Sequence, residues 1–234
     1  MKKRTTFFFA VISFLFCSYS ASSQIDEDKL GAWYMYFWNT TLKESSWGFQ
    51  GDVQYRNWNL MGDLEQLLLR GGVTYKPENA NVKFTLGYAH ITTGDYGTDN
   101  DDTTSESRIY QEALLPQKVG GCFYLTHRFR FEQRFVEDQD FRTRYRYNLF
   151  VNVPLNKKII EKNSIYLALY NELFINGQRQ IGDGRSVELF DRNRTYVALG
   201  CGIKDNLRVQ FGVMRQVTNS WSKDQLQLSL HHKF

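Results

Sequence analysis

Along most of the chain, hydrophobic and polar residues alternate with a period of two. From Cys122 to Phe135 one parity carries Phe123, Leu125, His127, Phe129, Phe131, Gln133 and Phe135. The other carries Tyr124, Thr126, Arg128, Arg130, Glu132 and Arg134. From Phe141 to Val153, Thr143, Tyr145, Tyr147, Leu149, Val151 and Val153 oppose Arg142, Arg144, Arg146, Asn148, Phe150 and Asn152. A helix would scatter both sets round its circumference, whereas a strand puts each set on one face. The same alternation sets Leu67, Leu69 and Val73 against Gln66, Arg70 and Thr74, and Leu207, Val209 and Phe211 against Arg208, Gln210 and Gly212. It also sets Ile165, Leu167, Leu169 and Leu173 against Tyr166, Ala168, Tyr170 and Glu172, and closes the chain with Leu226, Leu228, Leu230, His232 and Phe234. Eleven such segments, each of about 10–13 residues, are predicted to be strands. They begin near Gly31, Trp47, Leu64, Val82, Arg108, Cys122, Phe141, Ser164, Arg194, Leu207 and Gln225.

Turn chemistry separates the segments. Pro77-Glu78-Asn79, Val119-Gly120-Gly121 and Lys204-Asp205-Asn206 predict tight turns, and longer polar stretches run from Gly94 to Ser107 and from Gly177 to Asn193. Short turns alternating with long loops suit an antiparallel, up-and-down transmembrane barrel. Bacterial single-chain barrels run to even strand numbers. Twelve strands are therefore expected, one concealed in a loop or weak segment, or ten if the first segment is not part of the wall. A secreted β-sandwich would alternate too. Its packed core, however, would not accept the rows of arginine on the polar parity without partners.

The first segment differs from all the rest. Lys2, Lys3 and Arg4 precede an apolar run from Phe7 to Phe16, and small residues follow at Ala21-Ser22-Ser23. That is the layout of a secretory signal peptide, residues 1–23, cleaved after Ser23 to leave a single domain over residues 24–234. The run is too short to span a bilayer, and no later stretch reaches the roughly 20 apolar residues a spanning helix needs.

Charge changes meaning once the leader is set aside. The full chain carries a formal net charge of +4. Loss of the leader's three basic residues leaves about +1, so global basicity does not point to nucleic acid. Three cysteines with no CxxC pair exclude a disulfide scaffold or zinc ribbon, and Cys122 and Cys201 are expected to be isolated thiols. Mean hydropathy is low, −0.49, which suits a wall in which only every second residue meets lipid.

The Arg-rich pair of segments carries a family likeness. Leu125-Thr126-His127-Arg128-Phe129-Arg130-Phe131-Glu132-Gln133-Arg134-Phe135, followed by Arg142-Thr143-Arg144-Tyr145-Arg146, resembles the hallmark of the DUF2490 family of Bacteroidetes. Asn171-Glu172-Leu173-Phe174-Ile175-Asn176 and Phe190-Asp191-Arg192-Asn193-Arg194 are similar to its later signature segments. The resemblance implies an outer-membrane β-barrel of no demonstrated activity.

Candidate chemistry then sits on the polar parity. Arg128, Arg130, Arg134, Arg142, Arg144 and Arg146 form one basic ladder on neighbouring strands, relieved by Glu132. With Arg70, Glu172, Arg194 and Arg208 they are the candidate lumen-lining residues. Two readings are open. The ladder lines a narrow pore that attracts small anionic solutes, as charged rings do. Alternatively, it pairs with Glu112, Glu172 and acids on facing strands to fill the lumen of a non-conducting, structural or surface-interaction barrel.

Catalysis is not expected. His90, His127, His231 and His232 have no Ser or Asp partner at motif spacing, and GxSxG is absent, so a lipid hydrolase is the weaker alternative. Asp95, Asp99, Asp101 and Asp102 do not have the spacing of an EF-hand, and neither metal nor cofactor is implied. The expected location is the outer membrane. The expected partners are its lipids and lipopolysaccharide, the barrel-assembly machinery acting on the C-terminal strand that ends in Phe234, and a small anionic solute, with no nucleic acid.

Overall fold

The computed structural model describes residues 29–97 and 102–234. The expected signal peptide, and Asp99 and Asp101 of the acidic loop, lie outside the described residues. The strands are β1 (Gly31–Thr41), β2 (Trp47–Asn57), β3 (Leu64–Tyr75), β4 (Lys83–Gly94), β5 (Thr103–Val119), β6 (Phe123–Val136), β7 (Arg142–Pro154), β8 (Ile165–Asn176), β9 (Phe190–Lys204), β10 (Leu207–Val217) and β11 (Ser222–Lys233). Together they form one closed barrel in chain order.

Sequence neighbours pair antiparallel, and the seam between β1 and β11 is parallel, from Gly31 opposite Gln225 to Asn39 opposite Lys233. The barrel is therefore an eleven-stranded mixed one, within the ten to twelve strands expected but with one parallel pair where an all-antiparallel wall was expected. The physical reason is parity. With an odd number of hairpin-linked strands, the first and last run in the same direction and can close the ring only side by side in parallel. Closure leaves no free edge, which a bilayer would not tolerate.

Register fixes the faces, since a one-residue slip would exchange lumen and exterior throughout a strand. Trp33 opposite Arg56, Met35 opposite Gln54 and Phe37 opposite Asp52 point inward from β1 and β2. On the outside, Val53, Leu69, Leu86, Phe129, Tyr145, Val197, Leu199, Phe211 and Leu228 are exposed. An apolar exterior of this extent is compatible with an outer-membrane barrel. Aromatic pairs mark its rims, with Trp47 on Tyr75 at 4.8 Å and Phe135 on Phe141 at 5.2 Å between ring centroids. No helix among the described residues is long and apolar enough to cross a membrane, which says nothing about crossing by strands.

The two ends of the barrel differ. Residues 58–63, 95–102, 137–141, 177–189 and 218–221 connect strands at one end, here the loop end. Residues 42–46, 76–82, 120–122, 155–164 and 205–206 connect them at the other, the turn end. The expected division into long loops and short turns is only partly met, because 155–164 is longer than 137–141 or 218–221. β1 starts at the loop end and β11 finishes at the turn end.

Two inward tyrosines close the wall against glycine. A Cβ on Gly87 would overlap the Tyr110 ring, and one on Gly200 would overlap the Tyr166 ring of the neighbouring strand. An aromatic covering a strand glycine is a device that holds register and lets the sheet curve. Tyr166 also belongs to an inward apolar cluster with Trp33, Ala168, Tyr196, Ala198 and Met214.

A candidate binding site in the barrel lumen

The inner face changes character along β6 and β10, whereas on β4 and β9 it is buried almost to the turn end. On β6, Tyr124, Thr126 and Arg128 near the turn end are half-buried, while Arg130, Glu132 and Arg134 toward the loop end are buried. On β10, Arg208 and Gln210 are half-buried where Met214 and Gln216 are buried. The lumen thus has an open half and a filled half.

The filled half is an ion-paired plug. Glu132, 1% exposed, accepts from Arg144 Nη2 at 2.7 Å and Arg146 Nη1 at 2.5 Å, with Arg108 and Arg130 each at 3.8 Å. Glu106 accepts two hydrogen bonds from Arg108, at 2.6 and 2.7 Å, and two from Arg134, at 2.5 and 2.9 Å. Glu172 receives Arg146 and Arg128, both at 2.6 Å, and Glu112 receives Arg130 Nε at 2.8 Å. Asp52 holds Arg70 at 2.9 Å, and Asp191 holds Arg144 at 2.9 Å. Guanidinium suits this work because its planar fork meets a carboxylate through paired hydrogen bonds and stays charged when buried.

Aromatic rings take the remaining guanidinium faces. Phe174, 1% exposed, has Arg146 at 4.4 Å and Arg194 at 4.8 Å from its ring centroid. Trp33 has Arg56 at 3.8 Å and Arg194 at 4.7 Å, and donates its indole N–H to Glu65 at 2.7 Å. Such stacking favours a cation through the ring quadrupole. At the loop end the connection 177–189 folds over this layer. Its Ile181 is buried, and its Gln178 side-chain oxygen accepts from the Thr143 backbone N–H at 2.6 Å.

Above the plug lies a vestibule of about 370 Å³ toward the turn end. Arg128, Arg208, Asn148, Asn152, Gln210 and His231 are among its polar lining, and Met35, Phe37, Phe150 and Tyr196 supply apolar wall. Its floor includes Arg56, Arg130, Arg146 and Arg194, so the buried layer separates the vestibule from the loop end. A volume of this size falls in the range of small-molecule sites.

The structure places each sequence-predicted site residue on the inner face. Arg70, Arg130, Glu132, Arg134, Arg144, Arg146, Glu172 and Arg194 belong to the plug, five of them also facing the vestibule that Arg128 and Arg208 line, while Arg142 is buried with its Nε unpartnered. Of the two readings of the ladder, pairing with Glu112 and Glu172 is what the geometry displays. Sequence reading missed Asp52, Arg56, Glu65, Glu106, Arg108, Asp191, Arg192 and the Trp33 stack. The signal was present for Asp52 and Arg56, since Gln50, Asp52, Gln54 and Arg56 alternate with Phe49, Gly51, Val53 and Tyr55.

Among the described residues, His127, His231 and His232 hydrogen-bond to hydroxyl groups. His127 meets the Tyr147 hydroxyl at 2.8 Å on the outer face, and His232 meets that of Tyr36 at 3.1 Å. His231 points into the vestibule, 3.0 Å from Ser229 Oγ and stacked on Phe37, and among the described residues no carboxylate accepts from its other ring nitrogen. Cys122 and Cys201 are free and exposed.

The fold and site define a class: a closed β-barrel with an apolar exterior and a charged, partly filled lumen. Within that class the chain belongs to DUF2490, a family described as proteins of unknown function, whose model it matches over residues 30–227. A search of curated proteins finds no match to it.

Proposed function

We propose that the protein is an exported outer-membrane barrel, closed at the loop end by its arginine–carboxylate plug, that binds small anionic solutes in the turn-end vestibule. One observation carries this reading. On β6 the inner face is half-buried at the turn end and buried from Arg130, Glu132 and Arg134 onward, so a solute entering the vestibule meets a layer in which carboxylates are already bonded. By the usual orientation of such barrels, the turn end faces the periplasm. The apolar exterior is the surface for outer-membrane lipid, with lipopolysaccharide around the outer rim, and the exposed Phe234 at the end of the last strand is the contact for the assembly machinery. The role is one of binding, without a cofactor and without catalysis.

The rival reading, an anion-selective pore, is favoured by the vestibule descending onto Arg128, Arg130 and Arg146. Planar-bilayer recording separates the two. The plugged reading expects no steady conductance from protein whose gel migration is heat-modifiable in the same lipid. Steady, anion-preferring current that falls when Arg142, Arg144 and Arg146 are neutralised would establish the pore instead.

A further inference from the structure

Within the plug is a second, smaller void of about 40 Å³. Its walls are arginines, Arg56, Arg144, Arg192 and Arg194 among them, together with Gln66, Leu68 and Phe174, and no carboxylate lines it. The guanidiniums lining it outnumber the carboxylates around them, although buried Glu65, bonded to Trp33 and Gln225, exerts a favourable charge on both Arg56 and Arg194. Glu106, Glu112, Glu132, Glu172 and Asp191 are each shared by at least two guanidiniums. Arg56 and Arg194, each 5% exposed, lie within 4 Å of no carboxylate among the described residues. Their hydrogen bonds go to neutral amides: Arg56 to Gln54 and Gln66, Arg194 to Gln216. Arginine cannot shed its proton in a protein, and an uncompensated charge removed from water is among the costliest features a fold can carry.

We propose that this void is a binding site for one small inorganic oxyanion, of the phosphate or sulfate class, held chiefly by Arg56 and Arg194 as the counter-charge of the plug. The size agrees. The void is roughly three times the ~10–15 Å³ that one water needs on the same measure. The chemistry agrees too, because guanidinium forks match the oxygens of a tetrahedral anion as they match a carboxylate. The void shares Arg56 and Arg194 with the vestibule floor, and Arg208, which lines the vestibule alone, tells binding in the two apart.

Equilibrium dialysis with radiolabelled orthophosphate and sulfate, on barrel refolded in detergent at low ionic strength, tests the proposal. One equivalent bound at millimolar concentration is expected. Arg56→Gln/Arg194→Gln should weaken it at least tenfold, and Arg215→Gln on the exterior should not. The double variant must keep its heat-modifiable migration. If it does not fold, crystals of the unaltered protein grown with selenate decide the matter, by anomalous density between Arg56 and Arg194. Absence of binding, binding undiminished in the folded double variant, loss with Arg208→Gln instead, or anomalous density confined to the vestibule would each overturn the assignment.

Discussion

The two halves of the lumen are lined by the same strands, yet they solve opposite problems. Toward the loop end, Arg108, Arg130, Arg134, Arg144 and Arg146 close around Glu106, Glu112, Glu132 and Glu172, and their side chains are buried. Toward the turn end, Asn152, Gln210, Arg208 and His231 stay partly wet around an open volume. On β6, β7, β10 and β11 the inward residues thus change from buried to partly exposed toward the turn end. What differs is the supply of acid. β5, β6 and β8 deliver carboxylates at the depth where β6 and β7 deliver arginines, while Arg208 on β10 is opposite none. Filled and open regions therefore come from matched and unmatched charge.

The sharpest way to break that contrast is to remove a carboxylate from the plug. Glu132→Ala strands several buried guanidiniums at once and should cost about 3–5 kcal/mol of stability. Asn152→Ala in the vestibule should cost less than about 0.5 kcal/mol, as at an ordinary solvated position. Urea unfolding followed by loss of the fast-migrating gel form measures both. Equal effects would mean that the plug is not the stabilising layer. A smaller effect is expected in the wall of the open half. In Gly200→Ala the added methyl meets the fully buried Tyr166 ring, and the forced shift should cost about 1–3 kcal/mol in the same assay.

Much of this architecture was legible in the residues. Strand starts at Gly31, Trp47, Leu64 and Leu207 coincide with the predicted ones, and those of β4, β6, β7 and β8 fall one residue later. The larger misses share a cause. β5 begins at Thr103 where Arg108 was expected, β9 at Phe190 where Arg194 was expected, and β11 at Ser222 where Gln225 was expected. All three lie at the loop end, where Ser105, Ser107, Asp191, Asn193 and Asp224 extend the strands beyond the apolar band and both faces turn polar. Period two is invisible there.

The parallel seam was not legible either. Which strand meets β1 is decided by closure of the ring, and no local pattern in β1 or β11 encodes it. The same holds for the plug. Neighbouring pairs such as Arg146 with Glu172 follow from adjacent strands, but Arg144 with Asp191 links β7 to β9 and needs the third dimension. The inward parity of the arginines was therefore readable, while their partners, and the void between Arg56 and Arg194, were not.

Cysteine labelling tests the division of the lumen most directly. With Cys122 and Cys201 replaced by serine, single cysteines are introduced as Asn152→Cys in the open half and Gln225→Cys in the filled half. Folded protein is then exposed to a water-soluble maleimide. Asn152→Cys is expected to react at close to the rate of the unfolded chain, while Gln225→Cys is slower by about 100-fold or more, reacting only when the barrel opens. Comparable rates at the two positions would contradict it, because water would then reach through the arginine layer.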